Sequence, residues 1–159
     1  MKTGFIVGLV AVSLAHSISA FASPSIGDFI RVEGTMSGKA IAMETELKAY
    51  DSAKGLFKQF DATFVAGQPY DSQEHWVREA GLPTPKDIDL LLSMCNSSGG
   101  RLERITVPAG DFDTCRLPTN EGKGIVHMGK VPFGVVKYWK DQSDPKSLKM
   151  SLVRFRYGR

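Results

Sequence analysis

Between Ile30 and Phe64 apolar and polar residues alternate with a period of two. Ile30 and Val32 open a strand, Ser37-Gly38-Lys39 turns it, and a second strand follows. There Ile41, Met43, Thr45, Leu47 and Ala49 point one way while Glu44, Glu46 and Lys48 point the other. A sheet with one buried and one wet face requires this alternation, because successive strand side chains leave opposite faces. Asp51 to Gly55 turns the chain again, and Phe60, Ala62 and Phe64 continue the buried face on a third strand, with Lys58 the exception. The expected arrangement is a run of antiparallel hairpins. Gly67-Gln68-Pro69 breaks the pattern, and Glu74 to Arg78 is a weaker strand candidate.

One helix interrupts the alternation. Thr84 suits the N-cap, Pro85 the first helical position, and Asp87 the reciprocal acid of a capping box. Ile88, Leu91, Leu92 and Cys95 then fall at i, i+3, i+4 and i+7, a single apolar stripe ended by Gly99-Gly100. A helix of about three turns is too short to hold alone, so the stripe is expected to lie on the sheet.

Alternation resumes after the helix. Leu102–Val107 and Phe112–Leu117 read as two strands around Pro108-Ala109-Gly110-Asp111. Setting Val107 against Phe112, Ile105 against Thr114 and Glu103 against Arg116 joins apolar pairs and ends on opposite charges. That register leaves Cys115 on the opposite face, beside Arg104. Ile125–Met128 is a short strand, and Val131–Lys137 reads as the next, with Pro132 near its start and Gly134 marking a bulge or a close backbone approach. Leu148, Met150 and Leu152 alternate into a last strand ending in Arg154-Phe155-Arg156-Tyr157.

The segment before the alternation reads as an address. Lys2 precedes an apolar core at Phe5–Ala15, and Ala20-Phe21-Ala22 matches the small-x-small pattern of signal-peptidase cleavage. The apolar run is shorter than the roughly 20 residues that a membrane-spanning helix needs, which disfavours the alternative of a membrane anchor. Residues 1–22 are therefore expected to be a signal peptide and residues 23–159 a single β-rich domain, exported to the periplasm or beyond the cell. Lys2 is the only charged residue in the leader, so its removal lowers the formal charge from +3 to +2. So mild a balance does not point to nucleic acid.

Two cysteines in an exported chain generally pair. A Cys95–Cys115 disulfide would tie the end of the helix to the following hairpin and close a loop of roughly 20 residues, worth about 3 kcal/mol in the chain-entropy picture. A redox pair or metal ligation is the alternative, but there is no Cys-x-x-Cys and too few nearby Cys or His for zinc. The chain names neither a metal nor a cofactor.

The run GGRLERITVPAGDFDTC, followed by VPFGVVK, resembles a pattern of uncharacterised exported bacterial proteins, which in turn distantly resemble the periplasmic lipoprotein-localisation-factor-like β superfamily. The resemblance covers Gly99–Lys137. It implies a curved antiparallel sheet wrapped on a helix, sometimes with an apolar cavity between them. It transfers no catalytic residue, because the matching positions are turns and core.

The chemistry-bearing residues are few. His75 and His127 follow the leader, neither in a spacing that names a role, and a satisfied or exposed strand histidine is the plain reading of His127. There is no Gly-x-Ser-x-Gly turn, phosphate loop or His-x-x-x-His. Asp111 and Asp113 share a strand face and read as solvated acids, with a catalytic pair as the alternative. Trp76, Leu92, Phe133 and Trp139 are the candidate lining of an apolar ligand site, against the simpler reading of core packing. The Arg-Phe-Arg-Tyr-Gly-Arg tail reads as a basic edge strand that resists aggregation, with contact to anionic lipid or polysaccharide as the alternative. Asn96-Ser97-Ser98 is a glycosylation sequon.

The fold class expected is mainly β (α+β), a curved antiparallel sheet of about eight or nine strands on one short helix. Two non-enzymatic functions fit that fold. One is binding of a lipid or lipoprotein acyl chain in a groove between sheet and helix. The other is a structural or interaction module that meets an envelope protein through a sheet edge or the basic tail.

Overall fold

The computed structural model describes residues 23–159; the leader read at residues 1–22 lies outside the described residues. Nine strands and one α-helix follow in the order β1 (Phe29–Met36), β2 (Lys39–Asp51), β3 (Leu56–Val65), β4 (Gln68–Arg78), α1 (Pro85–Ser93), β5 (Arg101–Val107), β6 (Gly110–Thr119), β7 (Gly124–Gly129), β8 (Val135–Trp139) and β9 (Lys149–Arg156). All nine form one antiparallel sheet ordered β4-β3-β2-β1-β9-β8-β7-β6-β5. The first and last strands meet at its centre, and α1 lies on the connection between its two edges. This is the expected fold class.

The helix forms as its sequence dictates. Thr84 Oγ1 accepts from Asp87 N at 3.1 Å while Asp87 Oδ2 accepts from Thr84 N at 2.8 Å, closing the capping box. The buried side of α1 rests on β6 and β7. Ile88 is buried, while Leu91 and Leu92 are half-buried. The helix proper stops at Ser93, and Cys95 sits in the turn beyond, fully buried and bonded to Cys115 across a Cα–Cα distance of 5.6 Å. Gly100 does more than end the segment. A Cβ there would lie 2.7 Å from Cys115 Sγ and 2.9 Å from Cys95 Sγ, so only glycine lets the chain pass this close.

Four expectations are corrected. Phe60 and Ala62 pair with Glu46 and Glu44, which puts them, and Phe64, on the face of β2 that carries Glu44 and Glu46 rather than the face that carries Leu47. The cause is a bulge at Lys48, between Leu47↔Gln59 and Ala49↔Lys58. Without the extra residue the turn register would set Leu47 against Phe60 and Thr45 against Ala62, the phase read from the sequence. The displaced rings are covered by cations instead, with Lys48 Nζ 5.4 Å from the Phe60 centroid and the Arg31 guanidinium 5.4 Å from that of Phe64.

The β5–β6 hairpin is two residues tighter than expected. Val107 faces Gly110, Ile105 faces Phe112 and Glu103 faces Thr114, around a Pro108-Ala109 turn. A slip of two keeps every side chain on its face, so the pattern could not detect it. Cys115 consequently lies opposite Leu102 rather than beside Arg104, and Arg104 stands near Asp111 and Asp113.

Val131–Gly134 is a turn and not the start of a strand; β8 begins at Val135. Phe133 (φ 60°) and Gly134 (φ 75°) are left-handed, and a Cβ on Gly134 would meet Met128 Cε at 2.7 Å and Ile88 Cδ1 at 2.8 Å. The close approach there is made by side chains, Met128 of β7 and Ile88 of α1, and not by another stretch of backbone.

The basic tail is not on an edge strand of the sheet: it ends β9, which pairs with β8 over Lys149–Ser151 and with β1 along its length. Arg154–Arg156 themselves pair with β1 alone. Arg154 and Arg156 stand 5.2 and 5.6 Å from the Phe29 ring, and Arg156 also pairs with Glu46. The true edges are β4 and β5.

The core explains how one small helix suffices. Ile30, Val107, Val131, Val136 and Leu152 pack together, with Ile105, Phe112, Phe133 and Phe155 against them. The β5–β6 hairpin reaches back over β9, where Ala109 N–H donates to the Leu152 carbonyl at 3.2 Å and Phe112 meets Phe155 edge-on at 5.9 Å. The sheet thus curls on itself and covers the apolar face that α1 leaves free.

Candidate functional site

The four residues nominated as an apolar lining are not brought together. Trp76 lies half exposed on the edge strand β4. Leu92 borders an open depression shared with Asp89, Phe112 and Lys130. Phe133 lines a small cavity with Leu47, Pro85, Val131 and Tyr157. Trp139 ends β8 beneath the Lys149 ammonium, 4.2 Å from its ring, and its enclosed Nε1 has no hydrogen-bond partner. The Phe133 cavity measures about 20 Å³, room for about one water. An acyl chain needs several hundred Å³ (roughly 300–1,000 for a ligand site). Ile88 is buried beside Gly134, and Met128 is close to that glycine too. The depression at Leu92, about 450 Å³, is open to solvent and edged by Asp89, Asp111, Asp113 and Lys130.

The histidines are wired into strands. His127 is buried at 4% exposure, with Nδ1 3.3 Å from Glu103 Oε1 and 3.5 Å from Thr114 Oγ1. Thr114 donates its hydroxyl proton to the Glu103 carbonyl at 2.9 Å, so it is no free nucleophile. Burial pushes the His127 imidazole below its ordinary value of 6.5; Glu103 opposes that, while Lys137 and Arg116 reinforce it. The neutral ring is therefore favoured. On β4, His75 Nδ1 lies 3.6 Å from Asp61 Oδ2. Asp61 itself accepts from Thr45 and Gln59 at 2.7 and 3.0 Å, which commits its carboxylate to a polar cross-strand ladder. Asp111 and Asp113 share the exposed Arg104 at 3.7 and 3.8 Å, as solvated acids do.

What the structure leaves open is the outer edge of β4. This strand is 11 residues long, follows a two-residue Ala66-Gly67 turn with both φ positive (51° and 79°), and pairs on one side only. Tyr70 is 76% exposed and Trp76 50% exposed, the two large apolar side chains that β4 offers to solvent. Lys58 and Glu74 form a 2.6 Å ion pair across β3 and β4, and Lys58 is paired directly opposite Trp76. Tyr70 is a bulged residue, left out of the ladder between Thr63↔Asp71 and Phe64↔Pro69. The sequence reading found only the end of this strand. Its missed signal was the Ala66-Gly67 turn, whose left-handed pair is the usual requirement of a tight hairpin. Pro69 looked like a break but is tolerated because the strand is an edge.

No family model and no curated protein matches the chain. Among solved structures it is similar to a candidate exported protein with a YmcC-like fold from Bacteroides fragilis. The TM-score is 0.52 and the identity 12%, over 86% of this chain and 99% of that one. At that identity the likeness concerns the fold. Among the described residues no helix is long and apolar enough to cross a membrane.

Proposed function

We propose that the protein is exported, to the periplasm or the extracellular space, and acts there without catalysis as a docking module of the cell envelope. Its edge strand β4 takes an extended segment of a partner protein as an added strand. The observation that carries this is the long one-sided β4 with Tyr70 and Trp76 turned to solvent. An open ladder supplies affinity through backbone hydrogen bonds, and flanking side chains supply selectivity. A matching segment carries an apolar side chain opposite Trp76 and a basic one opposite Asp71, which lies exposed on β4. Export is supported by the leader pattern, by the buried disulfide, which persists in oxidising compartments, and by the exported fold neighbour. Kinship with the lipoprotein-localisation-factor-like superfamily belongs to the same proposal. It rests on the GGRLERITVPAGDFDTC and VPFGVVK runs, which build β5, β6 and the turn into β8. The small cavity at Phe133 and the charged rim of the depression at Leu92 weigh against the acyl-chain groove.

The test is a panel of alternating apolar–basic nonapeptides titrated into the labelled mature protein. Binders are expected to perturb and protect β4 amides, and Trp76→Glu should weaken them about tenfold or more. Binding that maps elsewhere, or no binding by any peptide, would reject edge docking.

A further inference from the structure

Three loops meet at one end of the sheet: the β1–β2 turn, the β6–β7 connection and the β8–β9 loop. They are cross-tied by direct hydrogen bonds. Ser37 N–H donates to the Lys146 carbonyl at 2.7 Å, the Asn120 amide to the Lys140 carbonyl at 2.8 Å, and Gln142 N–H to the Lys123 carbonyl at 2.8 Å. Between them lies an open depression of about 500 Å³ lined by Lys123, Lys140 and Lys146 with Ser37, Asn120 and Ser147. Each cross-tie thus anchors the backbone of one of the three lysines.

The charges at this site are unbalanced in a specific way. Four of the other lysines hold acids, Lys48 with Glu46, Lys54 with Asp51, Lys58 with Glu74 and Lys130 with Asp89. Lys39, Lys86 and Lys137 stand apart on the surface, and Lys149 lies over Trp139. Among the described residues Lys123, Lys140 and Lys146 form no such pair. The two acids in the same depression are occupied in shaping their own loop. Asp141 Oδ1 accepts from Ser143 N and Oγ at 2.9 and 2.6 Å, and Asp144 Oδ1 accepts from Lys146 N at 2.8 Å. Three ammonium groups against two carboxylates leave one net positive charge, with Lys123 also in the field of Asp141.

The backbone adds a second, independent observation. Asn120 (φ 48°) and Glu121 (φ 56°) are consecutive non-glycine residues in the left-handed region, and Ser37 (φ 51°) on the facing turn is a third. Such conformations cost free energy and persist where the surrounding structure enforces them, commonly at ligand clamps. Here two of them, Ser37 and Asn120, are the residues that bond the Lys146 and Lys140 carbonyls.

We propose that this loop cluster binds a phosphate-bearing anion, with the ammonium groups of Lys123, Lys140 and Lys146 donating to its oxygens. A compact dianion with several acceptor oxygens matches three point-charge donors, the role lysine performs well toward phosphate. The site is separate from β4 and stands or falls without it. The anion reaches it either free or as a monoester at the head of an envelope lipid.

Amide spectra of the mature protein titrated with inorganic phosphate at low ionic strength test the proposal. Saturable shifts at Ser37, Asn120 and Ser147 in about the millimolar range or tighter are expected. Lys140→Gln together with Lys146→Gln should weaken binding about tenfold, while Lys86→Gln on α1 leaves it unchanged, with all folds checked by circular dichroism. Because the substituted lysines are exposed, loss of binding in a folded variant reads the site itself. Flotation with phosphatidylcholine vesicles, with and without phosphatidic acid, identifies the source. Phosphatidate-dependent flotation lost in the double variant assigns a lipid headgroup, and phosphate binding without flotation assigns a free anion. Linear, non-saturating shifts, or equal affinity in the double variant, overturn the proposal.

Discussion

Replacing both Cys95 and Cys115 by alanine removes the one covalent link between the helix and the sheet. The bridge spans 20 residues. Closing a loop of that size in the unfolded chain costs about 11 cal/mol/K, or about 3.3 kcal/mol at 25 °C. Both cysteines are fully buried, and Gly100 already lies against the sulfurs, so alanine leaves a gap that the neighbours close only in part. That adds on the order of 1 kcal/mol, giving about 4 kcal/mol in all. For a domain of this size the expected fall in Tm is about 10–15 °C. Urea unfolding of the oxidised protein and the double variant, followed by circular dichroism, measures the difference. The m-value should also rise, because the unlinked denatured chain exposes more surface. A loss below about 1 kcal/mol with an unchanged m-value would refute the loop-entropy reasoning.

Further expectations follow from other contacts. Gly34→Ala should prevent folding or cost more than about 4 kcal/mol, since a Cβ there would fall 1.6 Å from the Lys149 carbonyl oxygen in the central β1–β9 pair; expression and thermal melts read this. Leu152→Ala should cost about 2–5 kcal/mol, because the side chain is fully buried where the curled sheet closes. His127 titrates lower in the folded protein than in the unfolded chain. Its contribution should therefore be complete above about pH 6.5 and decline as pH falls from there toward the folded value, since the unfolded state binds the proton first. Comparing melts of the protein and His127→Gln across that window checks the sign, and a rise in relative stability on acidification would contradict it. Arg104→Ala should change stability by less than about 0.5 kcal/mol, as its pairs with Asp111 and Asp113 are exposed.

The features legible in the chain were those set by near neighbours. Thr84, Pro85 and Asp87 specify a helix start within four residues, and the capping box formed as read. Period-two runs announced most strands, and two cysteines in an otherwise thiol-free chain announced the bridge. The candidate site was far less legible. Trp76 was noticed for its aromatic ring, but its position on an open edge depends on which strands end the sheet. The lysines of the loop cluster, Lys123, Lys140 and Lys146, converge only because the β6–β7 and β8–β9 connections fold to one end.

Tertiary structure decided the rest, for a physical reason that differs from case to case. The bulge at Lys48 reverses the phase between Leu47 and Phe60, and no periodicity reports an extra residue that only the partner strand reveals. The two-residue tightening of β5–β6 preserves both faces, so the choice fell to turn geometry and to Ile105 and Phe112 joining the core. The pairing of Phe29 with Arg156 ties the basic tail to β1 at the end of a strand that lies inside the sheet. Curling the sheet lets Ala109 reach Leu152, so the apolar face that one short helix could not cover is buried by the sheet itself. Local patterning sets which face of a strand is apolar; only the closed sheet determines what that face meets, because burial is a property of the partner as much as of the strand.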